Sequence, residues 1–170
     1  MLKAFRGKKP KVHESAFIAE TAVIIGDVEI GANSSIWFGV VIRGDINSIR
    51  IGKNVNAQDN TVIHVEPDYG CVISDNVSIG HNCTIHAADI ESNVIIGMGA
   101  TVLSWSRIGK NSIVAAGSVV TENTSVEENT VVAGIPAKKI KDTTQEHLNR
   151  IEENWKHYVE IAKQCMKGKK

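Results

Sequence analysis

Three of the six histidines in this chain lie close together in the sequence, each within two positions of an aliphatic residue of a regular pattern. His64 and His86 directly follow Ile63 and Ile85, and His81 stands between them. Imidazole is a common ligand of divalent metals, and three imidazoles leave a coordination position open for water or a substrate. The sequence therefore predicts a divalent-metal site. The alternative is that these are surface or hydrogen-bonded histidines without a metal.

Charged and amide side chains precede the first of these histidines. Arg43 and Asp45 flank a glycine, and Gln58 is followed directly by Asp59. Arg43 can form paired hydrogen bonds with a carboxylate of its own chain or of a neighbour. Gln58 is placed to orient a water molecule on the metal. The alternative for all four is ordinary polarity at the corners of the fold.

Composition favours one compact body that binds small molecules. The 170 residues suit a single domain, and 19 basic residues balance 19 acidic ones, so nothing indicates nucleic acid or an anionic membrane as a partner. The first ten residues lack the apolar core of a signal peptide, and no stretch approaches the roughly 18 apolar residues that a membrane span needs. A cytoplasmic location is the expectation. Three cysteines without paired spacing, Cys71, Cys83 and Cys165, are expected to be reduced.

A six-residue repeat decides the architecture. Aliphatic residues recur at every sixth position, with one slip of three residues and one interruption, at Ile18, Ile24, Ile30, Ile36 and Ile42, then Ile51, Ala57 and Ile63, then Ile79 and Ile85, and finally Ile90, Ile96, Val102, Ile108, Val114, Val120, Val126 and Val132. The period is not the 3.6 of a helix, but it is a multiple of the strand period of two. Gly commonly follows the aliphatic residue and Asn comes soon after, and both tolerate the backbone angles of tight corners. The pattern predicts a parallel β-solenoid with three hexads in each coil of about 18 residues.

The repeat places the histidines on different faces of this prism. His64 and His86 occupy equivalent positions of their hexads and are expected on one face of neighbouring coils, whereas His81 is directed across a corner. One subunit alone does not bring all three together. A homotrimer does, because the face with His64 and His86 in one subunit can meet His81 of the next around a three-fold axis.

The pattern changes after Pro136. Thr143 and Glu146 predict a capping box for a helix that runs to about Met166. Its apolar stripe, which consists of Leu148, Ile151, Trp155, Tyr158, Ala162 and Cys165, is expected to pack along the prism or against a neighbour. The expected division is a β-helix over residues 1–140 and a helical segment over 141–170. Tyr158 is a candidate to point its hydroxyl into a site.

These residues together resemble the γ-class carbonic anhydrases and their hexapeptide-repeat relatives, some of which are labelled ferripyochelin-binding-like. The matching pieces are residues 43–45 (RGD), 58–60 (QDN), His64, residues 79–86 (IGHNCTIH) and residues 133–138 (AGIPAK). The likeness covers roughly residues 10 to 165. The resemblance implies a left-handed β-helix, whose hand the spacing itself does not set, and a homotrimer with zinc, or iron or cobalt, at each subunit interface.

The resemblance also implies a reaction and roles for the polar residues. The reaction is reversible hydration of carbon dioxide by a metal-bound hydroxide, for which three neutral imidazoles bring the pKa of a bound water near 7. Arg43, Asp45 and Asp59 would organise the interface, and Gln58 would contact the metal-bound solvent. The chain departs from the family's pattern at Ile46, where the family has a glutamate, and in a short segment, residues 65–71, where the family has a long acidic loop. Glu66 is the candidate replacement for the family's proton-shuttle glutamate.

Two other functions stay open on the sequence. The first is acyl transfer or thioester hydrolysis on a coenzyme A thioester, since many hexapeptide-repeat proteins are acyltransferases. The second is a catalytically weak trimer in which the metal only links the subunits.

Overall fold

A computed structural model describes residues 1–167 of the chain. It is a left-handed parallel β-helix of about seven turns that is followed by one α-helix, which confirms the predicted fold class. The strands are β1 (Leu2–Lys3), β2 (Lys11–Val12), β3 (Phe17–Ile18), β4 (Val23–Ile30), β5 (Ser35–Ile36), β6 (Val41–Ile51), β7 (Asn56–Ala57), β8 (Val62–His64), β9 (Cys71–Ile73), β10 (Ser78–Ile79), β11 (Thr84–His86), β12 (Ala88–Ile90), β13 (Ile95–Ile96), β14 (Thr101–Val102), β15 (Ser106–Ile108), β16 (Ile113–Val114), β17 (Val119–Val120), β18 (Ser125–Val126), β19 (Thr130–Ala133) and β20 (Lys138–Asp142), and the helix is α1 (Gln145–Lys167).

The strands form the three faces of a prism. The first face contains β8, β11, β14 and β17, and the second contains β9, β12, β15 and β18. The long strands β4 and β6 continue from the first face into the second, because β6 pairs with β8 through Val41–Ile42 and with β9 through Ile49–Ile51. The third face is the separate sheet that runs from β3 through β5, β7, β10, β13 and β16 to β19, with β20 at its edge.

The repeated aliphatic residues fill the interior. Ile42, Ile63 and Ile85 stack in register on the first face, and all three are fully buried. Successive coils thus bury one another's β-branched side chains, and this packing supplies most of the driving force for folding. Since neighbours within each strand point the opposite way, the residue next to a core isoleucine faces outward.

Corners of the prism use a left-handed backbone conformation. Six asparagines at one corner have φ values near +57°: Asn33, Asn54, Asn76, Asn93, Asn111 and Asn129. Their side chains form a continuous ladder in which each amide nitrogen donates to the amide oxygen of the next coil at 2.9–3.3 Å. The expected tolerance of asparagine for tight corners is thus confirmed, and the corner also carries a hydrogen-bonded spine.

Both breaks in the repeat are visible in the structure. The slip of three residues after Ile42 lies within β6, which continues around the corner as one strand of 11 residues. The interruption after Ile63 corresponds to the loop between β8 and β9. Two fully buried core positions were missing from the predicted repeat. Ile49 lies outside the six-residue spacing because β6 continues around the corner, whereas Ile73 lies six residues before Ile79 and was overlooked after the interruption.

The C-terminal part begins with a strand that the sequence did not predict. β20 runs antiparallel to β19 and leads into α1. The predicted capping box of Thr143 and Glu146 is wrong by one residue, because the backbone N–H of Thr143 bonds to the Asn129 carbonyl and still belongs to the β-helix edge. Instead, Thr144 caps the helix through its hydroxyl and backbone N–H, both of which bond to Nδ1 of His147.

α1 packs on the β-helix of its own chain. Ile151, Val159 and Ala162 are its buried residues, and Tyr158 and Cys165 pack against the core at its edge. Val159 was absent from the predicted apolar stripe. The predicted helical segment, 141–170, ends beyond the described residues. In the part of the chain that the structure covers, no helix is long and apolar enough to cross a membrane.

Candidate metal centre

His64 and His86 lie side by side on the outside of the first face. β8 and β11 are parallel neighbours, and their register pairs His64 with His86, as the hexad positions predicted. Ile63 and Ile85 point inward, so the two imidazoles point outward. Nδ1 of His64 lies 3.1 Å from Nε2 of His86. Two ligands at tetrahedral positions around one zinc ion, with Zn–N of 2.0–2.1 Å, are roughly 3.3 Å apart.

Asp45 fixes the imidazole of His64. Its Oδ1 lies 3.0 Å from Nε2 of His64, and its other oxygen pairs with Arg43 at 2.5 Å. Burial alone would raise the pKa of Asp45, but the hydrogen bonds from His64 and Arg43 and the charge of Arg43 outweigh burial and hold this pKa below its ordinary value. The ionised carboxylate accepts only, so Nε2 of His64 carries the proton and Nδ1 keeps its lone pair.

His86 is held by a hydroxyl and a second carboxylate. Nδ1 of His86 lies 2.9 Å from Oγ of Ser104, and that hydroxyl donates to Oε1 of Glu66 at 3.1 Å. Because the Ser104 hydroxyl donates its hydrogen bond to Glu66, its oxygen accepts a hydrogen bond from Nδ1–H, which leaves the lone pair on Nε2 of His86. Sequence reasoning missed Ser104. It lies 18 residues after His86, one coil of the repeat, and that spacing was the signal that could have identified it.

His81 lies apart from this pair, at the corner that follows β10. Its Nδ1 is 2.8 Å from Oδ2 of Asp59, so Nε2 is the nitrogen left for a ligand. No three His, Cys, Asp or Glu side chains within residues 1–167 converge so as to hold a metal ion. A single chain therefore brings two imidazoles together and holds the third elsewhere, which is the separation that the hexad spacing predicted.

The donor set fits a divalent metal. Each of the three histidines has one ring nitrogen engaged by a carboxylate or hydroxyl, as in metal sites where outer partners fix the ligand imidazole. With the ring protons on the nitrogens that contact Asp45 and Ser104, Nδ1 of His64 and Nε2 of His86 are both acceptors, and they lie 3.1 Å apart. Two lone pairs at this distance repel unless a proton or a cation lies between them.

Gln58 and Tyr158 lie near His81. All three line one cavity between α1 and the third face. Gln58 is buried and its amide nitrogen donates to Oδ1 of Asn56 at 2.9 Å. Tyr158 packs edge-on against Trp37, and burial, aided by the charge of Asp59, raises its pKa. Their predicted roles toward a metal-bound solvent stay predictions.

The cysteines take no part in this arrangement. All three thiols are free, with Cys71 and Cys83 buried and Cys165 partly exposed. Burial raises the pKa of Cys71 to about 12 and also raises the pKa of Cys83. Both are therefore neutral core residues at physiological pH.

Comparisons with known proteins agree with the fold and show similarity to hexapeptide-repeat proteins that include carbonic anhydrases. The sequence profile of the bacterial transferase hexapeptide family (six repeats) matches residues 9–44 and 87–122. A carbonic anhydrase of Geobacillus kaustophilus is 39% identical over 160 residues, which are 94% of this chain and 88% of that protein.

A plant relative and a solved structure are also similar to this chain. The mitochondrial γ carbonic anhydrase 2 of Arabidopsis thaliana is 41% identical over 161 residues, or 91% of this chain, and the match spans only 58% of that protein's length. The crystal structure of a hexapeptide transferase family protein from Anaplasma phagocytophilum is 39% identical and superposes with a TM-score of 0.93 over 96% of both chains.

Proposed function

The chain belongs to the hexapeptide-repeat family of γ-carbonic anhydrases, and from this premise we propose that it catalyses reversible hydration of carbon dioxide at a metal shared between subunits of a homotrimer. In this proposal His64 and His86 of one protomer and His81 of its neighbour hold the metal. Zinc is the proposed ion, with iron or cobalt as alternatives, since all three accept imidazole ligands.

The close approach of Nδ1 of His64 and Nε2 of His86, 3.1 Å apart, is the observation that supports this proposal best. The outer partners Asp45 and Ser104 leave the two remaining ring nitrogens 3.1 Å apart on an outward face, where no third ligand converges from residues 1–167 of the same chain. A neighbouring protomer that presents His81 would complete a three-imidazole set and leave one position open.

When bound, the metal would supply Lewis acidity and bring the pKa of a water ligand near neutrality. The chain's own residues would prepare the site for it. Asp45 and Ser104 hold the protons of His64 and His86 on the nitrogens that face away from the metal position, and Asp59 does the same for His81. Neutral imidazoles leave the ion its full charge.

Proton export to solvent is the step for which this chain lacks the carboxylates of the family's pattern. Ile46 occupies the position of a glutamate in the family's pattern and is exposed. Glu66 accepts a hydrogen bond from Ser104, and one of its oxygens also lies 3.5 Å from Nδ1 of His86, so its carboxylate is engaged in holding a ligand. We therefore propose that Glu66 is a positioning residue and that proton export depends on buffer, so hydration should accelerate as imidazole buffer is added.

A subunit-complementation experiment tests the shared site. His64→Ala and His81→Ala chains are each expected to lose bound metal and hydration activity. When the two are unfolded, mixed in equal amounts and refolded together, about a quarter of the interfaces should pair an intact His64 with an intact His81 under random assembly. Metal content and stopped-flow hydration should then recover to about that fraction.

A mixture of His64→Ala with His86→Ala is the matched control, because both substitutions disable the same side of the interface and no recovery is expected. Recovery in the control, or none in the first mixture, would contradict the proposal.

Acyl transfer on a coenzyme A thioester is the second candidate, and the names of the matching family and of the Anaplasma protein favour it. It requires one basic histidine rather than three ligands. Saturable acetyl-CoA binding and acyl transfer that persist in a metal-free His64→Ala, His86→Ala chain would favour this candidate over hydration.

A further inference from the structure

The short loop between β8 and β9 carries Glu66 to the paired imidazoles. The carboxylate of Glu66 accepts a hydrogen bond from the Ser104 hydroxyl at 3.1 Å, and that hydroxyl lies 2.9 Å from Nδ1 of His86. The loop joins the first face of the prism to the second, so its conformation decides where this carboxylate lies. We refer to residues 66–69 as the Glu66 turn.

The Glu66 turn is closed by its own backbone. The N–H of Glu66 donates to the carbonyl of Tyr69 at 3.0 Å, and the N–H of Tyr69 donates to the carbonyl of Glu66 at 3.4 Å. Pro67 and Asp68 form the tip, and proline at the first tip position fixes one backbone angle of a tight turn. A contact that holds Tyr69 in place therefore also holds Glu66.

Tyr69 attaches the Glu66 turn to the second face. Its phenolic hydroxyl donates to Oδ2 of Asp89 on β12 at 2.9 Å. This hydrogen bond, together with burial and the charge of Asp89, raises the pKa of Tyr69. The phenol therefore keeps its proton and remains a donor at physiological pH.

The backbone of the loop also lies directly on β6. Nδ2 of Asn47 donates to the carbonyl of Pro67 at 3.2 Å. A Cβ atom on Gly70 would lie 2.7 Å from the carbonyl oxygen of Ser48, so this close approach requires glycine. The bond of the Tyr69 hydroxyl is thus one of several contacts that hold the loop, and Tyr69→Phe removes it without changing the backbone.

We propose that Tyr69 is a positioning residue for His86. Its bond to Asp89 holds the Glu66 turn in place, so the carboxylate keeps accepting from Ser104 and the Ser104 oxygen accepts from Nδ1–H of His86. Without this restraint the Ser104 hydroxyl is free to donate to Nδ1 instead. The imidazole proton then lies on Nε2, the nitrogen that a metal needs. This role rests on the proposed function, since it is there that His86 is a metal ligand.

Nitrogen NMR of the metal-free, full-length protein tests this role. With ¹⁵N-labelled histidine, the two ring nitrogens of His86 report its tautomer in mildly alkaline buffer, and His86→Ala identifies their signals. The parent is expected to hold the proton on Nδ1. In Tyr69→Phe the Nε2–H tautomer should become populated. The affinity for Co²⁺ should fall about tenfold, the lower end of the range for outer partners of metal ligands.

Substitutions of Asp89 provide a conservative rescue. Asp89→Asn retains an oxygen that can accept from Tyr69 and should keep the parent tautomer, whereas Asp89→Ala should behave as Tyr69→Phe does. Asp75→Ala is the matched control, because it also removes one hydrogen bond between coils, from the backbone N–H of Lys53 at 2.7 Å, but at the corner between the second and third faces. It should lower the melting temperature and leave the His86 tautomer and the Co²⁺ affinity unchanged.

A double substitution separates this route from a general loss of stability. In a Glu66→Ala chain no carboxylate remains to be positioned, so adding Tyr69→Phe should change neither the tautomer nor the Co²⁺ affinity further. An unchanged His86 tautomer in Tyr69→Phe, the same change in Asp75→Ala, or an additive effect in the double variant would overturn the proposed role. A parent chain that bound no metal would contradict the proposed function, whereas the tautomer in the metal-free protein would still decide whether Tyr69 positions His86.

Discussion

The hydroxyl of Ser104 decides which nitrogen of His86 is available to a metal. Its oxygen accepts a hydrogen bond from Nδ1–H and its own O–H donates to Glu66, so the imidazole is held in one tautomer and one orientation. Such outer partners commonly change metal affinity by 10–100-fold. A residue that touches no metal can therefore control the site.

Replacement of Ser104 tests this role. Ser104→Ala is expected to lower the affinity for Co²⁺ by about 10–100-fold, measured by competition with a chelating dye, because His86 is then free to rotate and to change tautomer. Ser106→Ala is the matched control, since this buried hydroxyl bonds only to the carbonyl of Leu103 in the same turn. Equal Co²⁺ affinity in the two variants would exclude a positioning role for Ser104.

The buried thiol of Cys71 is expected to lower the free energy of unfolding as the pH rises above 9. Its pKa is about 12 in the folded chain because of burial, against an ordinary value of 9.0. Above pH 9 the unfolded chain releases this proton and the folded chain keeps it, so stability is complete below pH 9 and falls as the pH rises toward 12. The slope contributed by one such group is at most about 1.4 kcal/mol per pH unit.

Urea unfolding between pH 8 and 11 measures this effect. Cys71→Ala should show a shallower fall in the free energy of unfolding with pH than the parent chain, although its stability at pH 8 is lower. Cys165→Ala should retain the parent slope, since Cys165 is partly exposed. Parallel slopes in all three proteins would show that Cys71 does not govern the alkaline loss.

At the scale of elements, the asparagine ladder ties each coil to the next. Asn76, in the middle of the ladder, accepts a bond from Asn54 and donates one to Asn93, and its φ is 62°. Asn129, at the end, takes part in one ladder bond and has a φ of 57°. The two positions share a backbone conformation but differ in the number of side-chain bonds.

Substitutions along the ladder separate backbone strain from hydrogen bonding. Asn76→Gly keeps a residue that tolerates positive φ and is expected to cost about 1–2 kcal/mol through its two lost bonds, whereas Asn129→Gly should cost about half as much. Asn76→Ala adds backbone strain and should cost about 1 kcal/mol more than Asn76→Gly. Urea unfolding gives these differences. An equal cost for glycine at both positions would show that the ladder bonds are not stabilising.

The same elements show what the sequence could and could not establish. A period of six with Gly and Asn at corners is set by local backbone geometry, and it was sufficient to predict the solenoid and the common face of His64 and His86. Ile49 was missed because the continuous strand β6 breaks the count without changing the stacking, whereas Ile73 could have been found by extending the spacing backward from Ile79. The bond from Ser104 to Glu66 joins residues 38 positions apart, across a loop of irregular length, so no fixed spacing reveals it. The hand of the coil came only from resemblance.

At the scale of the whole molecule, the separation of His81 from the other two histidines links metal binding to assembly. If the metal joins neighbouring protomers, it binds the folded assembly and not the unfolded chain, so it stabilises the assembly by mass action. At a free zinc concentration 100 times the dissociation constant, this contribution is about 2.7 kcal/mol per site. Light scattering should give a mass three times the chain mass of 18.4 kDa.

Thermal unfolding with and without zinc tests this linkage. The melting temperature of the parent chain should rise with zinc and also with protein concentration, since unfolding separates the subunits. In His81→Ala the zinc-dependent rise should be largely lost, because His64 and His86 alone provide only two ligands. His13→Ala is the control: it removes an exposed imidazole that bonds only to Ser15, so its response to zinc should equal that of the parent. If His81→Ala responds to zinc as strongly as His13→Ala does, the metal does not bridge subunits through His81, and the assembly must be held by other contacts.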